Sequence, residues 1–305
     1  MFMVLQHHAL TLWLSVEHGS WQPLPNSIGP VGLYGFFIML GVIMALGLGL
    51  LEGPKIGIKR NDIIDGLLII LPLAIIGTRL YYVLFHDFQT VLNNPLRFFT
   101  TSDGGFGFEG LAIHGGFIVA VVGTWIYTKK RNIDVIRALD LLAPGFIIAQ
   151  ASGRWGNFFN REAYGEVIGG GALNLDEQRA FLSETLRLPD FITNNMFINN
   201  NYHHPTFLYE SVWNVVGFAI MMVLRRTKLV RSGDLFAFYL IWYSVGRFFI
   251  ESLRTDSLYL WGTDIRIAQV ISIIMILIGI IFIIFNHIKI NRVHYHQLLE
   301  ENQVQ

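Results

Sequence analysis

The chain has 305 residues, of which 53% are hydrophobic and only 14% charged, with 22 Lys and Arg against 22 Asp and Glu. A soluble domain carries roughly a quarter charged residues, so this composition and a mean hydropathy of +0.48 point to a polytopic membrane protein. The zero net charge gives no case for nucleic acid or a polybasic surface. The absence of Cys excludes disulfides, thiolate metal sites and a Cys nucleophile on this chain.

Met1 to Ser20 contains no Lys or Arg and so lacks the n-region of a signal peptide; Phe2 to Val16 reads as an amphipathic interfacial segment. Apolar runs suited to crossing a bilayer fall at about 32–51, 63–85, 111–128, 139–152, 206–224, 235–253 and 267–288, the fourth of them short and the third polar at its start. The expected fold is therefore all-α, with about seven transmembrane helices in a single integral-membrane domain. Lys and Arg set its sidedness. Lys55, Lys59 and Arg60, then Lys129, Lys130, Arg131 and Arg137, then Arg225, Arg226, Lys228 and Arg231, and finally Lys289 and Arg292 all fall on one side. The other side has only Arg97, Arg154, Arg161, Arg179 and Arg187. This predicts an extracytoplasmic N-terminal segment (1–31), a cytoplasmic tail (289–305) and an extracytoplasmic connection over 166–204. The connection is polar and Asn-rich, as a small cap would be.

Ionisable residues in or near the spans collect at one depth. Arg79 lies roughly 9 Å below the outer end of the second span at 1.5 Å per residue, and Arg247 is placed similarly on the sixth. Tyr34 and His114 begin spans at the outer end, Arg154 follows the fourth, and Glu210 lies one turn into the fifth. A charge near the membrane core costs about 2.5 kcal/mol or more on the insertion scale, so such residues are usually functional or paired. Taken singly, Arg79 is as well explained by snorkelling to headgroups as by a ligand. Glu251 is best explained by an i, i+4 pair with Arg247, and a lone His114 by an interfacial role. Trp155, Phe158 and Phe159 read as belt and packing residues. The coincidence of depth favours an anionic ligand: three arginines around one cavity cannot neutralise one another. At that depth the anion would be a phospholipid headgroup.

The densest polar stretch is Gly153 to Gly165, with two Arg, two Asn, one Glu and three Gly in thirteen residues, read as a loop after an apolar run. Arg and Asn are donors suited to phosphate, and Gly admits close backbone approach. There is no H-E-x-x-H, P-loop or G-x-S-x-G pattern. The Gly104–Gly107 and Gly169–Gly171 runs read as flexible loops, and the adjacent His203 and His204 make a poor metal site.

This stretch resembles the signature of bacterial prolipoprotein diacylglyceryl transferases. So do Pro30 to Gly35, Gly77 to Tyr82, Leu111 to Gly116, His204 to Glu210, Tyr243 to Arg254 with Thr255-Asp256-Ser257, and Arg266 to Gln269, in the family's order. The sequence departs from the pattern at Gly32-Leu33, before the first-span Tyr, and at Glu109-Gly110. The resemblance implies transfer of the diacylglyceryl group of phosphatidylglycerol to the lipobox Cys thiol of a preprolipoprotein signal peptide in the bacterial cytoplasmic membrane. Glycerol 1-phosphate would be released, with no metal and no cofactor. On the matching positions it implies catalytic roles for His114, Arg154 and Arg247. Substrate-binding roles fall on Tyr34, Asn157, Glu162, Gly165, Tyr243 and Glu251, with Arg79 added from its depth. Thiolate is the attacking form of a Cys; His114 is the candidate base, and an Arg-rich field that lowers the thiol pKa is the rival reading. The alternative function is an anionic-lipid or anion transporter, which would place charge along a through-path and bring internal repeats; neither is visible here.

Overall fold

The computed structural model describes residues 23–29, 31–100, 112–260, 263–290 and 292–301. Phe2–Val16, Pro30, Gly104–Gly107 and Glu109–Leu111 lie outside the described residues. Most of the described chain is helical. The long helices are α1 (Leu33–Glu52), α2 (Arg60–His86), α4 (Ile113–Lys130), α5 (Val135–Asn160), α8 (Thr206–Leu224), α9 (Asp234–Glu251) and α10 (Ile267–Phe285). Short helices are α3 (Phe88–Asn93), α6 (Leu175–Ala180), α7 (Asp190–Asn195) and α11 (Tyr295–Glu301). Two small hairpins, β1 (Ser27–Ile28) with β2 (Val31–Gly32) and β3 (Phe197–Ile198) with β4 (Asn201–Tyr202), complete the fold.

Among the described residues, five helices are long and apolar enough to cross a membrane: α1, α2, α5, α8 and α10 with its extension to Ile288. The sequence reading expects seven. The two others, α4 and α9, have 18 residues each. α4 carries His114 and ends on Lys129 and Lys130, whereas α9 carries Asp234, Arg247 and Glu251; those charges dilute their apolar character. The expected boundary of the fourth span also changes. Val135–Asn160 is one helix, so Gly153 to Asn160 is helical rather than loop, and Arg154 sits within the helix. Large apolar side chains stay exposed along α10, Ile271 and Ile281 among them. That suits a helix solvated by lipid tails, which are as apolar as its own side chains.

The chain forms two compact units, residues 1–45, 143–225 and 234–291, and residues 46–142, 226–233 and 292–305. In the first, α5 meets α1 through small residues: a Cβ on Gly41 would lie 3.0 Å from the Ala149 backbone, and Ser152 Oγ donates to the Phe37 carbonyl at 2.7 Å. The connection between α5 and α8 folds as a cap around Phe158, Ile168, Leu182, Ile192, Met196 and Phe207. Asn174 and Glu177 close a capping box at the start of α6. Asn199 and Asn200 take the left-handed conformation (φ 50° and 63°) that a two-residue hairpin turn requires.

In the second unit, α2 and α4 cross in close contact. A Cβ on Gly115 would stand 2.1 Å from the Gly77 carbonyl oxygen, and one on Gly116 2.5 Å from the Thr78 side chain. The Ala112 amide donates to the Thr78 carbonyl at 3.1 Å, pinning the first turn of α4. At the other end of α2, Arg131 pairs with Asp65 at 2.6 Å and Asp62 at 3.5 Å. The C-terminal segment straps the α8–α9 connection, with Ser232 bonded to Val293 and Tyr295 to Val230 through the backbone; Tyr295 and Leu298 are fully buried.

The crossing makes a stability prediction. Gly115→Ala forces a methyl against a backbone oxygen and should cost about 1–3 kcal/mol, as overpacking does. Gly123→Ala meets only side-chain atoms of Ile70 at 3.7 Å or beyond and should be neutral or stabilising. Thermal unfolding of both variants in detergent checks the contrast.

Candidate functional site

The first unit holds an ionic cluster around one buried carboxylate. Glu210, one turn into α8, is 4% exposed. Its Oε2 lies 2.5 Å from Arg154 Nη2 on α5, and its Oε1 lies 3.3 Å from Arg247 Nη1 on α9 and 3.6 Å from Arg254 Nη1 beyond α9. Three guanidinium groups from three segments thus share one carboxylate. Arg247 also reaches Glu251, one turn on, at 2.6 Å, as the i, i+4 spacing predicts. Arg254 grips Asp256 through two parallel bonds of 2.8 and 2.6 Å, the strong fork geometry. Arg266 donates to the Glu251 carbonyl and lies 3.7 Å from Glu166.

Helix geometry explains the arrangement on α5. Arg154 and Asn157 are three residues apart and so share a face, with Arg154 Nη1 3.4 Å from Asn157 Oδ1. The helix ends at Asn160, and Arg161 and Ala163 adopt φ of 52° and 55°, which folds the chain back on itself. Glu162 then returns its Oε1 to Asn157 Nδ2 at 2.9 Å, and its amide to the Asn157 carbonyl at 3.0 Å. Gly165 is required by proximity: a Cβ there would lie 2.7 Å from His204 Cβ and 3.0 Å from the Leu253 carbonyl. At that point the Gly165 amide donates to His204, and the Glu166 amide to Leu253. The segments after α5, before α8 and after α9 are knotted together there.

The structure therefore brings together Arg154, Asn157, Glu162, Arg247 and Glu251, with Gly165 at the backbone junction. Tyr34, at the start of α1, packs on Gly156, one helix turn from the cluster, where a Cβ would be 3.0 Å from its ring. Tyr243 stacks on Tyr239 with centroids 6.0 Å apart, one turn before Arg247. Sequence reasoning placed Glu210 at membrane depth and Arg254 and Arg266 in the family's motifs but assigned them no site role, and it missed Asp256 as a partner. One expectation is corrected here. The arginines of this cluster are neutralised from within: Arg154, Arg247 and Arg254 face Glu210, Glu251 and Asp256.

Arg79 and His114 belong to the second unit. Arg79 is 2% exposed and donates to the carbonyls of Arg97 at 2.6 Å and Phe98 at 3.2 Å, with Asp87 at 3.8 Å. It does not snorkel; it holds the segment that follows α2. His114 is exposed in the first turn of α4, its ring 5.8 Å from that of Tyr81. His203 is buried, with Nδ1 2.7 Å from the Gly165 carbonyl and Nε2 3.2 Å from that of Ile198, a structural tie in the cap. Among the described residues, no group of three or more His, Asp or Glu is placed to hold a metal ion.

The Arg254 hydrogen bonds hold the Asp256 carboxyl below its usual range, against the opposing effect of partial burial. Its folded pKa is thus below the unfolded value of about 3.9. The pair's contribution to stability is therefore complete above that value and disappears as pH falls through the lowered one. Melting temperatures of the wild type and Asp256→Asn should differ by a constant amount near neutral pH and converge in acid. A difference that persists in acid would show that the ion pair is not its source.

Residues 25–285 match the family described as prolipoprotein diacylglyceryl transferase. A Bacillus cereus (strain G9842) protein named phosphatidylglycerol–prolipoprotein diacylglyceryl transferase is 47% identical over 255 residues, covering 84% of this chain and 87% of the relative. Proteins of the same name from Bacillus thuringiensis subsp. konkukian and Bacillus anthracis are each 46% identical over the same shares. The match runs from before Tyr34 on α1 to the end of α10, and the chain belongs to the prolipoprotein diacylglyceryl transferase family.

Proposed function

We propose that the chain transfers the diacylglyceryl group of phosphatidylglycerol to the lipobox Cys thiol of preprolipoproteins, the first step of bacterial lipoprotein maturation. The sulfur attacks the glycerol carbon that bears the phosphate ester. A carbon–sulfur bond forms, the carbon–oxygen bond breaks, and glycerol 1-phosphate leaves with the electron pair while the thiol proton passes to a base. Charge grows on the leaving phosphate, and fixed cationic donors at that place lower the barrier. The observation that carries the reading is the buried cluster in which Arg154 and Arg247 converge from two helices on Glu210, within a family match over 25–285.

Arg154 and Arg247 take the phosphate in this reading, since a guanidinium stays charged and offers a planar fork. Asn157 and Glu162 fix the orientation of Arg154, and Glu251 that of Arg247. Gly165 lets the backbone close beside them, while Tyr34 and Tyr243 flank the headgroup. Arg79 contributes to substrate binding through the segment it holds. His114 removes the thiol proton, imidazole being the commonest general base. The rival reading, an arginine field that lowers the thiol pKa, leaves His114 only a binding role.

The same proposal sets the architecture in the membrane. α4 and α9 cross it alongside the five strongly apolar helices, giving seven spans. The Lys- and Arg-rich ends face the cytoplasm, and the N-terminus, the cap and the site face outward. Both substrates are membrane-bound and enter sideways between helices.

Purified protein with phosphatidylglycerol and a lipobox peptide should yield lipid-modified peptide and glycerol phosphate; no product from concentrated wild-type protein overturns the reading. Arg154→Ala should abolish product while the protein still inserts and melts cooperatively, and Arg154→Lys should restore only a small part, because a point charge lacks the fork. His114→Gln should lower the rate by about 10²–10⁴-fold and remove the corresponding limb of the pH–rate profile. A near-full rate with an unchanged profile would leave the arginine field as the means of thiol activation.

A further inference from the structure

Helices α8 and α9 are joined by a reciprocal pair of tryptophans with no part in the ionic cluster. The indoles of Trp213 and Trp242 stack at 4.3 Å between centroids and 15° between planes. Trp213 Nε1 donates to the Trp242 carbonyl at 2.9 Å, and Trp242 Nε1 donates to the Trp213 carbonyl at 3.0 Å. Each ring is also seated on a glycine four residues beyond the other Trp. A Cβ on Gly246 would fall 2.3 Å from Trp213 Nε1, and one on Gly217 2.3 Å from Trp242 Nε1. Trp-x-x-x-Gly thus occurs on both helices, and each copy is the receptor of the other.

This arrangement fixes more than proximity. Stacked apolar rings alone tolerate sliding, but two N–H bonds that run in opposite senses to backbone carbonyls do not. A shift along the helix axis lengthens both bonds, and the glycine seats block rotation. Its position is also specific. Trp213 is three residues after Glu210, on the same face of α8, and its seat, Gly246, immediately precedes Arg247. The contact it would control is the 3.3 Å pair between Arg247 and Glu210. A slip of one residue moves a helix by about 1.5 Å, enough to break that pair and turn Arg247 away from Arg154.

We infer that the Trp213–Trp242 clasp, with Gly217 and Gly246 as its seats, is a positioning device that sets the register of α8 on α9 and thereby places Arg247 for catalysis. The inference rests on the functional reading above. The four residues are positioning residues: stacking, the two N–H bonds and the glycine seats join them to one another. An Arg misplaced by about 1 Å can cost on the order of 100-fold in rate, so the clasp should govern turnover more than binding.

Two variants and one distance test this. Trp213→Phe keeps an aromatic ring but removes the N–H; Gly246→Ala fills the seat. Both should lower kcat on the order of 100-fold while KM for phosphatidylglycerol stays near the wild-type value, and Trp213→Phe should melt close to the wild type. The chain has no Cys, so spin labels can be placed on Val212→Cys and Phe249→Cys, both on exposed positions. The label–label distance distribution should broaden or shift in each variant. A wild-type kcat in Trp213→Phe, or a loss of rate that only follows the unfolded fraction, would overturn the inference. If the wild type itself transfers nothing, the functional reading fails, and the distances alone decide the clasp: unchanged distributions in both variants refute it.

Discussion

A carboxylate buried among arginines is the constraint on which this structure depends. Glu210 is almost without solvent, and three guanidinium groups reach it from the last turns of α5, the last turns of α9 and the turn beyond α9. Desolvating such charges costs several kcal/mol per ion, which pairing and hydrogen bonding must offset. That requirement explains the supporting details. Arg254 is held at its far side by Asp256, Arg247 by Glu251, and Arg154 by Asn157, which is itself held by Glu162. The cluster is formally balanced before any ligand arrives. It resembles a preorganised anion receptor more than an open basic pocket.

Around it the fold uses small residues to bring backbones together and long ones to span gaps. Gly165 lets the segment after α5 lie against His204 and Leu253, so the chain leaving α5 is tied to the segments before α8 and after α9. In the second unit Gly77, Gly115 and Gly116 bring α2 and α4 into contact, which places His114 in a first turn anchored by the Thr78 carbonyl. Arg79 gives its guanidinium to the carbonyls of Arg97 and Phe98. Within each unit, close backbone contacts thus lie beneath the polar groups.

Much of this was legible in the sequence, for identifiable reasons. Apolar runs mark helices because a bilayer requires them, and each long helix begins within a few residues of its run. The fourth run failed in a useful way: Gly, Arg and Asn in the Gly153–Asn160 stretch look like loop, yet tertiary contacts continue the helix through it. Span count was harder to read, because α4 and α9 surrender apolarity to the ionisable residues they carry. The i, i+4 pair of Arg247 and Glu251 followed from helix geometry alone. Glu210 as hub did not, since which of several membrane-depth acids collects the arginines depends on how three separate segments pack. The pairing of Asp256 with Arg254 was hidden for the same reason. The fate of Arg79 was undecidable from sequence, because its partners are backbone carbonyls, which carry no residue signature.

The shared carboxylate has a consequence for how this site can change. When three cations divide two oxygen atoms, the worth of each contact depends on the other two, so effects of substitution cannot be summed. Losing one arginine frees Glu210 to tighten on those left, which withdraws them from any ligand as well. Any drift at Arg154, Arg247 or Arg254 is thus felt by all three at once. Under the proposed function, altered headgroup preference would have to arise through concerted replacement rather than stepwise tuning, and this epistasis is built into the geometry of one side chain.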